Sequence, residues 1–248
     1  MKTIFSIFFS ALLLHGYAQT DSLKQPLKLL QKASSVLSKT TTTSVTALSN
    51  EDIVAGLKEA LTVGSQKSAQ LLSLKDGFFA NAAIKILLPP EAVKVEKTLR
   101  SIGMGAQVDQ AILSMNRAAE DASKAAAPIF SNAIKNMSFQ DAWSILKGAD
   151  TAATAYLRKN TTVALSQSFK PVIDTALSKN NATKYWKDVF DLYNKLPTTF
   201  KKINPDLSVY VTEQALKGLF YQVSLEEISI RKDPMARVTD LLKKVFAK

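Results

Sequence analysis

The chain has no cysteine, and its only histidine is His15. Without disulfide bonds, stability has to come from the packed core alone. Zinc sites ordinarily use Cys and His ligands, and Ser-His-Asp and Cys-His catalysis need an imidazole as the base. Because His15 lies in a segment that we expect to be removed, these classes are excluded for the mature chain. We therefore expect no metal and no cofactor, which leaves carboxylate, lysine, tyrosine or hydroxyl chemistry, or no chemistry.

Long hydrophobic runs are also missing, except at the very start. The first residues read MKTIFSIFFSALLLHGYAQT, where Lys2 precedes an apolar run that ends in Gly16-Tyr17-Ala18. This pattern predicts a secretory signal peptide over residues 1–18, cut after Ala18. The run is too short to span a bilayer core of about 30 Å as a helix, and no later segment offers about twenty apolar residues. We expect an exported protein without a transmembrane segment.

Glycine and proline are scarce, at 8 residues each, whereas alanine is abundant. With few β-branched runs as well, this composition favours helices. The chain is 46% hydrophobic, and the roughly 230 mature residues are enough to bury the core of one large domain. The prediction is an all-α fold, a single multi-helix bundle with at most one short strand pair. Residues 19–48 are predicted as an N-terminal helix and a threonine-rich linker, and residues 49–248 as the helical domain.

Local signals predict several helix boundaries. Ser49 with Asp52, and Ser138 with Asp141, form capping-box patterns that are typical of helix starts. Between the helices, Ile84–Leu88 alternates enough for a short strand or an extended segment. Further helices are predicted near residues 105–125, 127–136, 149–178 with a break at Pro171, 182–195 and 206–232.

Basic residues outnumber acidic ones by 32 to 21, which gives a formal net charge of +11. Such a balance favours anionic partners, which outside the cytoplasm include phospholipid headgroups and polyanionic glycans. The lysines recur at helical spacing, however, as on solvated helix faces, so solubility with weak non-specific adhesion is the alternative. No basic cluster is interleaved with aromatic residues, and we expect no specific nucleic-acid site. The predicted partner is an anionic envelope component or another protein.

One helical stripe changes from apolar to charged near the end of the chain. In the predicted helix 206–232, the four-residue spacing that includes Leu219 and Val223 continues with Glu227 and Arg231. Glutamate four residues before arginine is the favourable orientation for a helical ion pair, which contributes only a few tenths of a kcal/mol when exposed. A charged pair thus occupies positions that the spacing predicts to face a core.

A second stripe shows the same change. Val108 and Ile112 are followed at the same spacing by Asn116 and Glu120, with Arg117 alongside. Either the stripes run out of the core, or the polar groups form a buried ionic network, or they line one pocket for a polar ligand. Burying charges costs several kcal/mol each unless they are paired and hydrogen-bonded. The candidate polar cluster, ligand-binding or structural, is Asn116, Arg117, Glu120, Glu227 and Arg231.

Three hypotheses for function follow from these features. The favoured one is a non-enzymatic exported binding or interaction protein that takes a polar or anionic ligand or partner. The alternative is a carboxylate-dependent hydrolase of cell-envelope polymers that uses Glu120 and Glu227. That chemistry needs two carboxyl groups facing one bond across roughly 5–10 Å. The third is a structural envelope component without a pocket.

Seven blocks of the chain resemble, in order, segments of one bacterial family. They are GLKEAL (56–61), DGFF (76–79), IKILLP (84–89), MNRAAEDA (115–122), AATAYLR (152–158), YVTEQALKGLF (210–220) and IRKDP (230–234). These blocks resemble the domain-of-unknown-function family 4197 from about Leu48 to the C-terminus. Members of that family are typically exported proteins of Gram-negative bacteria, so the resemblance implies the periplasm or the extracellular space. It implies no established activity, cofactor or catalytic residue.

Overall fold

Helices account for nearly all regular structure in the described residues, and no strand is present among them. This computed structural model describes residues 49–179, 186–187, 191, 194–195, 202, 206–237 and 239–245. The helices with defined bounds are α1 (Asn50–Ser73), α2 (Val93–Ser101), α3 (Gly105–Ser123), α4 (Ala126–Lys135), α5 (Phe139–Lys147), α6 (Ala152–Ser178), α7 (Leu207–Lys232) and α8 (Asp240–Val245). Single 3-10 turns, Pro90–Ala92 and Pro234–Ala236, precede α2 and α8. The all-α prediction is confirmed.

Several predicted segments fall outside the described residues. These are the signal peptide at 1–18, the N-terminal helix and linker at 19–48, and most of the predicted helix at 182–195. The predicted helix at 206–232 is present as α7, and those at 105–125 and 127–136 are present as α3 and α4. Among the helices that the structure describes, none is both long enough and apolar enough to cross a bilayer.

Both predicted capping boxes are confirmed. At the start of α1, the Asp52 N–H donates to Ser49 Oγ at 3.0 Å, and the Ser49 N–H donates to Asp52 Oδ2 at 3.2 Å. At the start of α5, the Asp141 N–H donates to Ser138 Oγ at 3.1 Å, and the Ser138 N–H donates to Asp141 Oδ2 at 3.1 Å. Each box satisfies N–H groups at the helix start that have no intrahelical acceptor. Local sequence therefore determines where α1 and α5 begin.

The core lies where α1, α3, α6 and α7 meet. Helix α6 packs along both α7 and α3, while α1 contacts α3, α4 and α7. Ala118, Ala119 and Ala122 of α3 are fully buried, and their small side chains let the neighbouring helices approach closely. Phe130 of α4 and Phe220 of α7 meet edge to face with ring centroids 6.0 Å apart. This is one of the geometries that aromatic pairs prefer.

Helix α6 continues through Pro171, so the predicted break is wrong. A proline removes one backbone hydrogen bond from a helix interior and its ring crowds the preceding turn. Pro171 lies on the exposed face of α6, where this local cost does not disturb the core. Packing on the opposite face holds both halves of the helix, because buried residues recur every four positions on either side of the proline. They are Leu157, Thr161, Leu165, Phe169, Ile173 and Leu177.

The last helix, α8, packs on α1 at a glycine. A β-carbon added at Gly56 would lie 2.6 Å from Val245 Cγ2 and 3.1 Å from Leu241 Cγ. The absence of a side chain at Gly56 therefore lets α8 lie directly against the α1 backbone. The amphipathic end of the chain is thus placed on the domain through Leu241 and Val245.

The segment between α1 and α2 has turns but no strand. Residues 75–80 form turns, and residues 85–89 have no regular secondary structure. Of the two forms predicted for Ile84–Leu88, the strand is not formed. Phe78, Ile84 and Ile86 are nevertheless buried, so this irregular segment contributes to the core. Its buried backbone N–H and C=O groups need partners from elsewhere.

Candidate functional site

Glu120 of α3 binds the turn that follows α1. The side chain is 3% exposed, and its Oε1 accepts hydrogen bonds from the backbone N–H groups of Phe78 and Phe79, both at 3.1 Å. Its Oε2 accepts a hydrogen bond from Arg117 at 2.6 Å. A buried carboxylate is stable only when donors surround it, and Glu120 has two backbone donors and a guanidinium. The same contacts satisfy N–H groups of the turn.

Arg117 links Glu120 to Asp76 in the same turn. Its Nη2 donates to Asp76 Oδ1 at 2.7 Å. Asp76 has a φ of +70°, the left-handed conformation that side chains generally disfavour and that Asp adopts more readily than most. Hydrogen bonding to Glu120, and then to Asp76, raises the pKa of the Arg117 guanidinium above its ordinary value. A permanently charged arginine thus holds the strained residue in place.

Asn116 provides the hydrogen bonds that a neighbouring strand would otherwise provide. It is fully buried. The Ile86 N–H donates to Asn116 Oδ1 at 2.8 Å, and Asn116 Nδ2 donates to the Ile86 carbonyl at 2.8 Å. Nδ2 also donates to the Ile112 carbonyl of α3 at 2.8 Å. One carboxamide therefore satisfies both backbone groups of Ile86, which explains how this segment is buried without a strand partner.

Glu227 of α7 caps the start of α6. The side chain of Thr151, at the N-cap position, makes no capping hydrogen bond. Glu227 Oε1 accepts from the Ala153 N–H at 3.0 Å, and Oε2 accepts from the Thr154 N–H and hydroxyl, both at 2.8 Å. A carboxylate at a helix N-terminus is favourable because the free N–H groups and the helix dipole both present positive charge there. Glu227 thus replaces a local cap with one from another helix.

Arg231 of α7 connects this cap to the end of α5. Its guanidinium donates to Glu227 Oε1 at 3.1 and 3.0 Å, and its Nη2 donates to the Ile145 carbonyl at 2.9 Å. Ile145 lies in the last turn of α5, where carbonyl groups lack intrahelical donors and the dipole favours a cation. The Glu227–Arg231 pair therefore places the negative group at the start of α6 and the positive group at the end of α5.

The five candidate residues lie in two networks. Asn116, Arg117 and Glu120 bind the segment 76–86, whereas Glu227 and Arg231 bind the ends of α5 and α6. Among the described residues, no hydrogen bond or ion pair joins one network to the other. In both, the acceptors and donors are used by backbone groups or by each other, as a structural network requires. These contacts provide no single pocket shared by all five.

The cavity beside Glu227 and Arg231 is too small for a ligand. It has a volume of about 20 Å³ and is lined mainly by apolar residues of α1 and α7. One water needs on the order of 10–15 Å³, whereas small-molecule sites have roughly 300–1,000 Å³. The cavity therefore has room for about one water.

A larger groove lies between α4 and α6, and none of the five candidate residues lines it. Its volume is about 550 Å³, and we name it the α4–α6 groove. Its polar lining residues are Asn132 and Asn136 from α4 and its C-cap, Asp141 from α5, and Tyr156 and Asn160 from α6. Thr161 of α6 is a sixth polar lining residue, whose hydroxyl donates to the Leu157 carbonyl at 2.6 Å, and the apolar lining residues are Pro128, Ile129, Ala133 and Ala164. The volume falls within the range of small-molecule sites.

The sequence contains one weak signal for this groove. Asn132 with Asn136, and Tyr156 with Asn160, are each spaced four residues apart, so each pair lies on one helix face. Polar residues at this spacing are common on any solvated face. Only the packing of α4 beside α6 shows that the two pairs face the same space.

Two titratable groups determine the charge of the groove at neutral pH. Hydrogen bonds from the Ser138 hydroxyl and backbone lower the pKa of the Asp141 carboxyl, and the nearby charge of Lys159 adds to this effect. Burial raises the pKa of the Tyr156 phenol, and the negative charge of Asp141 raises it further. Asp141 is therefore an ionised acceptor, and Tyr156 keeps its proton.

Tyr210 of α7 also binds the segment 84–88, which Asn116 of α3 binds at Ile86. Its hydroxyl donates to the Leu87 carbonyl at 2.8 Å, and its ring stacks on Trp186 with centroids 5.9 Å apart. Burial, followed by the negative charge of Glu91, raises the pKa of this phenol from 10.0 to about 12. The folded protein therefore holds the Tyr210 proton at pH values where the unfolded chain has lost it.

We expect this proton to make stability fall between about pH 10 and pH 12. In that window the folded state binds one proton more than the unfolded state, so the free energy of unfolding decreases as pH rises. At pH 7, Tyr210→Phe should be about 1 kcal/mol less stable than the wild type, because it loses the hydrogen bond to Leu87. Between about pH 10 and pH 12 its free energy of unfolding should fall less than that of the wild type, because the titrating group is gone. Urea unfolding at pH 7, 10 and 11.5 measures the difference, with Tyr221→Phe, an exposed tyrosine of α7, as the control. Parallel pH dependence in wild type and Tyr210→Phe would contradict the prediction.

These observations define an all-α domain with buried polar networks and a polar groove between α4 and α6. Within the described part of the chain, no group of three or more His, Cys, Asp or Glu residues is placed to hold a metal ion. The chain belongs to the DUF4197 family of proteins of unknown function, whose family model matches residues 47–247. No curated protein and no solved structure matches it. The match confirms the family resemblance of the seven blocks.

Proposed function

We propose that this protein is an exported, periplasmic binding protein without enzymatic activity, and that it holds a polar ligand in the α4–α6 groove. The observation that carries the proposal is a groove of about 550 Å³ with six polar side chains on its walls. Pockets of this size with a few converging polar groups are typical of ligand sites. Export is supported by the signal-peptide pattern of residues 1–18.

The hydrolase alternative has weaker support. A general acid has to hold and release a proton beside the scissile bond. Both oxygens of Glu120 and both oxygens of Glu227 accept hydrogen bonds from backbone or side-chain donors. Each carboxylate is thus engaged by the fold, and neither lines the α4–α6 groove.

A pair of neighbouring substitutions on α6 tests the proposed site. Ala164 lines the groove, whereas Val163 beside it is 71% exposed and does not. Ala164→Trp should fill the groove, and Val163→Trp should add the same bulk outside it. Soluble glycan and peptide fragments released from Gram-negative envelopes serve as probes in two-dimensional NMR of the labelled protein.

We expect the fragments to shift the side-chain amide signals of Asn132, Asn136 and Asn160 in the wild type and in Val163→Trp. In Ala164→Trp these shifts should be lost, while the remaining signals should keep the dispersion of a folded protein. If no fragment shifts these signals in the wild type, the groove is not the binding site. If the wild type converts the fragments to new products, the absence of enzymatic activity is refuted.

A further inference from the structure

The α4–α6 groove offers both hydrogen-bond donors and acceptors. Three of its residues carry carboxamides, and each carboxamide has two N–H donors and one acceptor oxygen. Asn136 Nδ2 donates to Asn132 Oδ1 at 3.5 Å, and Asn160 Nδ2 donates one N–H to the Tyr156 carbonyl at 2.8 Å, while Asn160 Oδ1 has no partner among the described residues. The Tyr156 hydroxyl likewise has no partner in the described part of the chain. A ligand that satisfies these groups has to donate and accept at several points.

Asp141 adds an acceptor at the end of the groove nearest α5. Its Oδ2 accepts from the Ser138 N–H at 3.1 Å and from the Ser138 hydroxyl at 2.7 Å as part of the capping box. Hydrogen bonds among described residues therefore leave Asp141 Oδ1 without a donor. An ionised carboxylate only accepts hydrogen bonds, so the part of the ligand that reaches Asp141 has to donate one.

The charges around the groove favour an uncharged ligand. No lysine, arginine or histidine lines it, its one charged lining residue is Asp141, and the charge of Lys159 acts on Asp141 from outside the lining. An anionic group would be repelled by Asp141 at short range. A cation would be repelled by the whole protein, whose formal net charge is +11. The lining itself therefore does not match the anionic partner that the overall composition predicts.

Apolar groups lie between these polar side chains. Pro128 and Ile129 of α4 line the groove together with Ala133 and Ala164. Such C–H surface suits a ligand that combines hydroxyl groups with C–H faces, as a pyranose ring does. The polar groups also come from three helices around the groove. An extended peptide, in contrast, presents its backbone N–H and C=O groups only along its two opposite edges, which does not match polar groups that come from three helices.

We propose that the ligand of the α4–α6 groove is an uncharged oligosaccharide, whose hydroxyl or acetamido groups bind Asn132, Asn136, Tyr156 and Asn160 and donate to Asp141. This assignment rests on the proposed function, because it names the ligand class of the same groove. Sugar hydroxyls donate and accept at once, which matches the mixed lining. The groove volume of about 550 Å³ suits a short oligosaccharide rather than a long polymer segment.

Three trimeric probes test the ligand class by NMR titration of the purified protein. They are tri-N-acetylchitotriose, which is neutral, trigalacturonate, which is anionic, and trialanine. We expect the neutral sugar to shift the groove amide signals with at least tenfold higher affinity than the other two. Asn160→Ala should weaken its binding at least fivefold, because it removes a carboxamide from the wall. Lys159→Ala removes the cation that acts on Asp141 from outside the lining, and it should leave the affinity for an uncharged ligand within twofold.

The outcomes separate this inference from the function on which it rests. Stronger binding of trigalacturonate in the groove, or a fivefold loss in Lys159→Ala, would show an anionic ligand and overturn the inference. Stronger binding of trialanine would overturn it in favour of a peptide. In both cases the proposed binding function would stand. Groove shifts with envelope fragments but with none of the three probes would again refute only the ligand class. The absence of any groove shift with either set would refute both.

Discussion

Glu227→Ala is expected to lower the free energy of unfolding by about 3–5 kcal/mol, the range for breaking a buried ion pair by removing one partner. Glu227 is buried, with 6% of the residue exposed. Its removal leaves the N–H groups of Ala153 and Thr154 and the Arg231 guanidinium without their acceptor. The first turn of α6 loses its cap at the same time. Chemical denaturation monitored by circular dichroism measures the loss.

The adjacent glutamate is the matched control. Glu226 pairs with Lys67 at 2.8 Å, and the side chains of Lys67 and Glu226 are 57% and 12% exposed. An ion pair with one partner in solvent contributes little, so Glu226→Ala should lose about 1 kcal/mol. Glu227→Gln keeps the shape but loses the charge, and should lie between the two alanine variants. Equal losses for Glu226→Ala and Glu227→Ala would contradict the structural role of Glu227.

The same variants separate the two interpretations of the polar stripe. A catalytic carboxylate leaves the fold intact when it is replaced by its amide, and only turnover is lost. A structural carboxylate loses stability when it is replaced. Because Glu227 is engaged by α6 and Arg231, we expect a lower melting temperature for Glu227→Gln. An unchanged melting temperature would favour the catalytic interpretation.

Gly77→Ala is expected to destabilise the protein by about 3 kcal/mol, at the upper end for overpacking. A β-carbon at Gly77 would lie 2.6 Å from the Leu71 carbonyl oxygen and 2.7 Å from that of Leu72. These are backbone atoms of α1, so no side-chain rotation relieves the clash. The turn would have to shift, which would pull the N–H groups of Phe78 and Phe79 away from Glu120. Denaturant unfolding measures the effect as a shift of the unfolding midpoint to a lower denaturant concentration.

Gly103→Ala controls for the loss of glycine itself. Gly103 has a φ of +87°, and a β-carbon there would meet nothing within 4 Å. Its substitution therefore adds only left-handed backbone strain, which costs about 1 kcal/mol. Gly77→Ala should be clearly the more destabilising of the two. If both variants lose the same free energy, close contact of the turn with α1 is not what requires glycine at 77.

Five of the seven family blocks are joined in space by these contacts. The block at 76–79 contacts the one at 115–122 through Glu120 and Arg117, and the block at 84–89 contacts it through Asn116. Arg231, in the block at 230–234, is tied to Glu227, which caps α6 within the block at 152–158. Five of the segments that resemble the family thus take part in the buried polar networks, together with Glu227, which lies between two blocks.

The sequence by itself predicts the all-α fold, the starts of α1 and α5, and the two helical stripes that change from apolar to polar. Capping boxes join residues three positions apart, and an amphipathic stripe joins residues four positions apart, so both are visible in a short window. The break predicted at Pro171 is wrong for the complementary reason. Local preference at a proline is outweighed by a buried stripe that packs on distant helices.

Only the tertiary structure decided what the polar stripe residues bind and where the groove lies. Glu227 finds its donors 73 and 74 residues away, and Asn116 pairs with a residue 30 positions away. A buried polar group takes whichever partner the packed helices bring to it, and a residue type in a stripe does not specify that partner. The α4–α6 groove is likewise a gap between two helices, which exists only once they pack.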